Sequence, residues 1–162
     1  QLNNPGSDPQ PQLLLCCGSS AWVKQIIAER PFKTEDDLYQ AADKIWRQLA
    51  QHDWLEAFSQ HPKIGDLESL KAKFAGTKDW ASAEQGGVAL ASERVIEELA
   101  LGNKAYEAKF GYIFIVCASG KTADQMLALL KERFDNTPEV EIELAMEEQR
   151  KITRLRLEKL LT

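Results

Sequence analysis

The sequence predicts an all-α protein, a single compact bundle-like domain of about eight helices, and three observations carry that expectation. Apolar residues recur at helical spacing through most of the chain, and capping signals stand in front of these periodic stretches. Only one run has β-type composition, and an isolated strand has no ladder to join. With 162 residues the chain can bury a core without disulfide or metal staples, so residues 1–162 are expected to form one domain.

Taken in order, residues 1–11 contain Pro5, Pro9 and Pro11 and read as a flexible or altered N-terminal segment, without the charged-then-apolar pattern of a signal peptide. Leu13, Leu14, Leu15, Cys16 and Cys17 form an apolar run ending at Gly18, a short buried helix or a buried strand; its length does not decide between them. Ser19 or Ser20 can cap a helix over 22–30, with Trp22, Ile26 and Ile27 on one face and Pro31 closing it. Thr34 followed by Glu35, Asp36 and Asp37 is a cap with an acidic first turn, and Leu38, Ala41, Ala42, Ile45 and Leu49 continue at helical spacing. Asp53 can cap a shorter helix over 54–60 that ends at His61.

Asp66 is placed to start a helix reaching about Phe74, with Gly76 as its stop. Ser82 and Gln85 have the form of a capping box opening a helix to about Leu101, with Val88, Ala91, Val95 and Leu99 inward and Gly102-Asn103 ending it. Gly86 and Gly87 in its first turn cost up to ~1 kcal/mol each relative to alanine, which points to a close approach to the backbone. Tyr106 and Phe110 form an i, i+4 aromatic pair on a short helix ending at Gly111. The β-type run covers 112–118 and, lacking a partner, reads as buried extended backbone or part of a helix. Thr122 and Gln125 cap a helix to about Phe134, with Met126, Leu127, Leu130 and Phe134 inward, and Thr137-Pro138 opens the longest helix, to about Leu161.

Composition removes several classes of function. Twenty Lys and Arg stand against 25 Asp and Glu, a net charge of −5, and no basic stripe interleaved with aromatics appears, so no nucleic-acid partner is expected. No run approaches the ~20 apolar residues of a membrane span, so no membrane partner is expected either. Three cysteines, two of them adjacent, suit reduced thiols in the cytoplasm better than a disulfide framework. Ser119-Gly120-Lys121-Thr122 resembles the end of a phosphate loop, but the glycine needed five residues before Gly120 is Ile115. The two histidines, His52 and His61, fit no zinc-ligand spacing, and no metal is expected. No nucleophile elbow is present, and Cys117 sits in the most apolar run, where burial keeps it a thiol.

What remains is a constellation suited to proton transfer. His61 precedes Pro62, which biases it away from α geometry and places the imidazole where a helix stops. Counted at about 100° per residue from Ile142, the inward face of the last helix holds Ala145, Met146, Leu157 and Leu160, and with them Gln149 and Arg156; Arg154 lies about 120° away. A guanidinium on such a stripe needs an anion or several acceptors, whether a buried carboxylate, the solvent edge or a ligand. Glu84 lies in a first turn, where the helix dipole alone already favours a carboxylate.

The ordered set of motifs resembles the 2-oxo-4-hydroxy-4-carboxy-5-ureidoimidazoline (OHCU) decarboxylases of urate breakdown. The likeness runs through Leu13 to Ser20 with Trp22, Arg30-Pro31-Phe32, Asp53-Trp54-Leu55-Glu56-Ala57-Phe58 and His61-Pro62-Lys63-Ile64-Gly65-Asp66. It continues with Trp80, Glu84-Gln85, Tyr106, Phe110-Gly111, the residues 114–118, and Leu155-Arg156-Leu157. The resemblance implies a helical fold, a homodimer and no cofactor. It implies His61, Glu84 and Arg156 as catalytic residues, and substrate contacts from Pro62, Gln85 and the backbone of Phe114, Ile115, Val116, Cys117 and Ala118. The family carries serine directly after the tryptophan of its Trp-Ser-x-x-Glu-Gln motif; here Ala81 follows Trp80, which removes that hydroxyl, and the opening eleven residues match poorly. The implied activity is stereoselective decarboxylation of OHCU to (S)-allantoin. The competing expectations are an inactive helical homologue serving as an interaction module and hydrolysis of 5-hydroxyisourate, for which a β-rich sequence would be expected.

Overall fold

The computed structural model describes residues 2–61 and 86–162, with side chains from 93 onward in the second stretch. Among these residues the chain is helical, with no strand: α1 Gln10–Cys16, α2 Ser20–Glu29, α3 Glu35–Gln48, α4 Gln51–Ser59, α5 Gly86–Phe110, α6 Ala123–Phe134 and α7 Pro138–Leu161. The expected helix after Asp66 and the capping box at Ser82 lie outside the described residues. The chain divides into two compact units, Gln1–His61 with Glu143–Thr162, and Pro62–Ile142.

Helix starts follow their capping residues. Ser19 Oγ accepts from the Trp22 N–H at the head of α2, and Thr34 with Asp37 forms a reciprocal capping box on α3. Thr122 and Gln125 do the same on α6, and Thr137 Oγ1 accepts from the Val140 N–H where Pro138 opens α7. The apolar run after Pro11 resolves as helix: α1 begins at Gln10, so the opening loop ends earlier than expected. Residues 2–3 of that opening segment are tied down, since Asn3 exchanges hydrogen bonds with the Phe32 backbone and the Leu2 carbonyl accepts from Arg30.

Two expected boundaries are corrected. Helix α4 starts at Gln51 and not at Trp54, because the Asp53 N–H already bonds the Ala50 carbonyl; Asp53 is a first-turn carboxylate and not the cap. Gly102-Asn103 does not end a helix, and α5 runs through it to Phe110, 25 residues against 24 in α7. A Cβ on Gly102 would stand 2.5 Å from Leu130 Cδ2, so this glycine serves close approach to α6. The true stop is Gly111, whose φ of 86° is left-handed.

In the first unit, three buried indoles pin helices together. Trp22 Nε1 donates to the Ala42 carbonyl at 3.2 Å, Trp46 Nε1 to Met146 at 2.9 Å and Trp54 Nε1 to Trp46 at 2.9 Å. Each ring buries apolar surface while its one polar atom is satisfied on a neighbouring helix. Trp46 also meets Trp54 and Phe58 at ring centroid distances of 6.2 and 6.5 Å. In the second unit, Ile96, Leu99, Ala100, Tyr106, Met126, Leu127 and Leu130 form the core between α5 and α6. The run after Gly111 is neither helix nor strand, with Ile115 and Cys117 buried.

Candidate active site

His61 lies in the first unit, just beyond the end of α4, with its N–H on the Phe58 carbonyl and its ring half-buried. Two devices fix the helix end that carries it. Gly18, in the α1–α2 connection, lies so close to Gln60 that a Cβ there would meet the Gln60 Cβ and Cγ at 2.5 Å. One turn earlier, Glu56 Oε1 accepts from both the Ser20 N–H at 2.8 Å and the Ser20 hydroxyl at 3.0 Å, a carboxylate on the positive end of α2.

The His61 imidazole reaches α7 directly, where its Nε2 lies 2.5 Å from Gln149 Oε1. Gln149 is fully buried, and its Nε2 donates to Thr153 Oγ1 at 3.1 Å. Thr153 faces the Cys17 thiol and acts to lower its pKa. Burial pushes the Cys17 thiol up to about 12; the Ser19 backbone, Thr153 and Arg156 oppose that rise only in part, and neighbouring Cys16 adds to it. Cys16 is also raised, again by burial, with Arg156 opposing. The imidazole therefore ends a line of neutral groups reaching into the core.

Arg156 lies one turn beyond Thr153 on α7, half-buried, with Nη1 donating to the Leu15 carbonyl at 3.2 Å. Among the described residues no carboxylate lies within ion-pair range of it. Of the rest of the expected inward stripe, Ile142, Ala145, Met146, Gln149 and Leu157 are buried and Leu160 is half-buried. Thr153 belongs to the same stripe, about 20° from Ile142 by the helical count, and is the member that sequence reasoning misses, because a hydroxyl there reads as filler. Arg154, on the other side, stacks over Tyr39 at 4.1 Å and pairs with Glu158.

Phe114, Ile115, Val116, Cys117 and Ala118 lie in the second unit on the irregular segment after Gly111. Its backbone is held by cations: Arg133 Nη1 donates to the Ile115 carbonyl at 2.6 Å, and Lys121 Nζ to Cys117 at 2.7 Å. The Arg133 guanidinium lies 4.5 Å from the Phe114 ring centroid and forms a buried pair with Glu141, Nη2 to Oε1 at 2.6 Å. Glu141, also fully buried, accepts from the Tyr106 hydroxyl at 2.5 Å and from Asn136 Nδ2 at 3.0 Å. Burial, then the bond to Glu141, raises the Tyr106 pKa far above its ordinary value. A buried Arg–carboxylate pair is thus present at Arg133, and among the described residues none forms at Arg156. Its signal was available: Arg133 is about 20° from Met126 on the apolar face of α6.

Glu84, Pro62 and Gln85 lie outside the described residues. Among the described residues no three His, Cys, Asp or Glu side chains are grouped to hold a metal ion, and no helix is long and apolar enough to cross a membrane.

Comparison with known proteins gives a consistent result. The family model described as OHCU decarboxylase matches residues 7–158. The chain is 44% identical over 146 residues to the uric acid degradation bifunctional protein TTL of Arabidopsis thaliana, covering 90% of this chain and 45% of that protein. It is 26% identical over 139 residues to the 2-oxo-4-hydroxy-4-carboxy-5-ureidoimidazoline decarboxylase of Haloferax volcanii, covering 85% and 80% of the two chains. The crystal structure of OHCU decarboxylase in the presence of (S)-allantoin matches with a TM-score of 0.74 and 42% identity, over 92% of this chain and 96% of that one. The chain thus spans less than half the length of the bifunctional relatives from Arabidopsis and from Bacillus sp. strain TB-90, of which it covers 45% and 28%.

Proposed function

The chain belongs to the OHCU decarboxylase family, and from that premise we propose that it decarboxylates OHCU to (S)-allantoin in urate degradation, without a cofactor. The observation that carries this reading is the match to the OHCU decarboxylase crystallised with (S)-allantoin, which extends over 96% of that chain at 42% identity.

The chemistry suits the residues. Breaking the bond from the carbinol carbon to the carboxylate releases CO2 and leaves an electron pair at that carbon. The pair forms a double bond to the neighbouring ring carbon, and the π pair of the adjacent C=N moves onto nitrogen, which takes a proton. The ring therefore supplies its own electron sink. The carbinol hydroxyl then gives up its proton to become the carbonyl, and the neighbouring carbon takes a proton on one face, which sets the S configuration. We assign these transfers to His61. Glu84 orients it or holds the hydroxyl and ureido groups, and Arg156 binds ring or ureido oxygens and turns the carboxylate toward departure. That Arg156 has no carboxylate partner among the described residues supports giving it an anionic ligand. Pro62, Gln85 and the backbone of Phe114, Ile115, Val116, Cys117 and Ala118 are proposed substrate contacts. A cytoplasmic homodimer completes the proposal.

The test is circular dichroism on freshly generated OHCU. Formation of (S)-allantoin faster than the spontaneous racemic decay is expected; unchanged decay would favour the inactive interaction module instead.

A further inference from the structure

We infer that Gln149 is a positioning residue that fixes the tautomer and ring orientation of His61. The inference rests on the reading of His61 as the proton-transfer group and adds a residue that reading does not contain. A neutral imidazole carries its proton on one nitrogen and a lone pair on the other, and the partner of one nitrogen decides which. Gln149 presents an acceptor, Oε1, to His61 Nε2 at 2.5 Å. The opposite orientation of the amide is disfavoured, because its nitrogen already donates to Thr153 Oγ1 at 3.1 Å. The donors therefore run in one direction from the imidazole to the threonine, and the proton of neutral His61 belongs on Nε2.

The choice of glutamine over glutamate matters at this fully buried position. A glutamate here would add a buried charge beside the ring, whereas an amide orients it without adding one. Among the described residues, the charged and titratable groups along this line are Cys16 and Cys17 from α1 and its end and Arg156 from α7, and burial keeps both thiols neutral near pH 7.

The experiment is long-range 1H–15N NMR of the imidazoles in the resting protein, which needs no substrate and so decides the tautomer even if OHCU is not the substrate. With two histidines in the chain and His52 at 82% side-chain exposure, a His52→Gln background isolates the His61 signals. The Nε2–H tautomer is expected. Gln149→Met should lose that preference and lower kcat about tenfold or more, less than the ~10²–10⁴ that a general acid or base supplies, with KM nearly unchanged. Gln149→Glu should keep Nε2–H and raise the imidazole titration. Thr153→Val, a milder variant on the same line, should shift the tautomer ratio in the direction of Gln149→Met. An Nδ1–H tautomer in the unmodified protein, or Gln149→Met with tautomer and kcat both unchanged, overturns the inference.

Discussion

The two units solve the same problem, holding a polar element inside a helical core, with opposite chemistry. Among the described residues, the buried polar groups that brace the unit carrying His61 are neutral: three indole N–H groups on backbone carbonyls, a glutamine, a threonine and a thiol. Around the 114–118 segment the partners are charged, with Arg133 locked to Glu141 and braced by Tyr106 and Asn136. The difference follows from what each must hold. A glutamine and a threonine orient a titratable ring without adding fixed charge to it. A partly buried segment of irregular backbone, with neither helix nor sheet to satisfy its carbonyls, instead gains from a guanidinium that bonds one of them and cannot deprotonate.

The largest effect should come from unbalancing the charged cluster. Glu141→Ala leaves Arg133 buried without its counter-ion and is expected to cost about 3–5 kcal/mol, read as a fall in Tm. Replacing both by apolar side chains, Arg133→Met with Glu141→Leu, should recover much of that loss. A Glu141→Ala protein as stable as the unmodified chain would mean that the pair is not the brace described here.

A smaller effect is expected from the neutral side. Trp46→Phe removes the N–H that binds Met146 and part of a large buried ring, and about 1–3 kcal/mol of stability should go with it. The comparison predicts that this loss stays below that of Glu141→Ala in chemical denaturation, and the reverse order would break it.

The smallest effect appears only in alkali. Cys17 ionises at about 12 in the folded protein and near its ordinary ~8.5 when unfolded, so folding holds a proton on the thiol between those values. Its contribution is fully present below about pH 8.5 and is lost as pH rises toward 12, at no more than ~1.4 kcal/mol per pH unit. Tm measured from pH 8 to 10.5 should therefore fall less steeply for Cys17→Ala than for the unmodified chain.

How much of this could be read from the sequence depended on distance along the chain. The boxes at Thr34–Asp37 and Thr122–Gln125 were legible because both partners lie within one turn. Gly102 was misread as a stop because its reason, Leu130, belongs to another helix. His61 at a helix end and Gln149 on the inward stripe were each legible alone, since each obeys a local rule. Their contact was not, because nothing local tells residue 61 that residue 149 will meet it. The Arg133–Glu141 pair shows the same limit: Arg133 lies on the apolar face of α6, while Glu141 lies beside the stripe of α7.

The measurement that bears most directly on the separation between chemistry and brace is the rate of (S)-allantoin formation from freshly generated OHCU, followed by circular dichroism, in the unmodified chain and in His61→Asn. The account predicts enzymatic turnover in the first and a loss of about 10²-fold or more in the second, with Tm unchanged. Near-unmodified turnover by His61→Asn would contradict it.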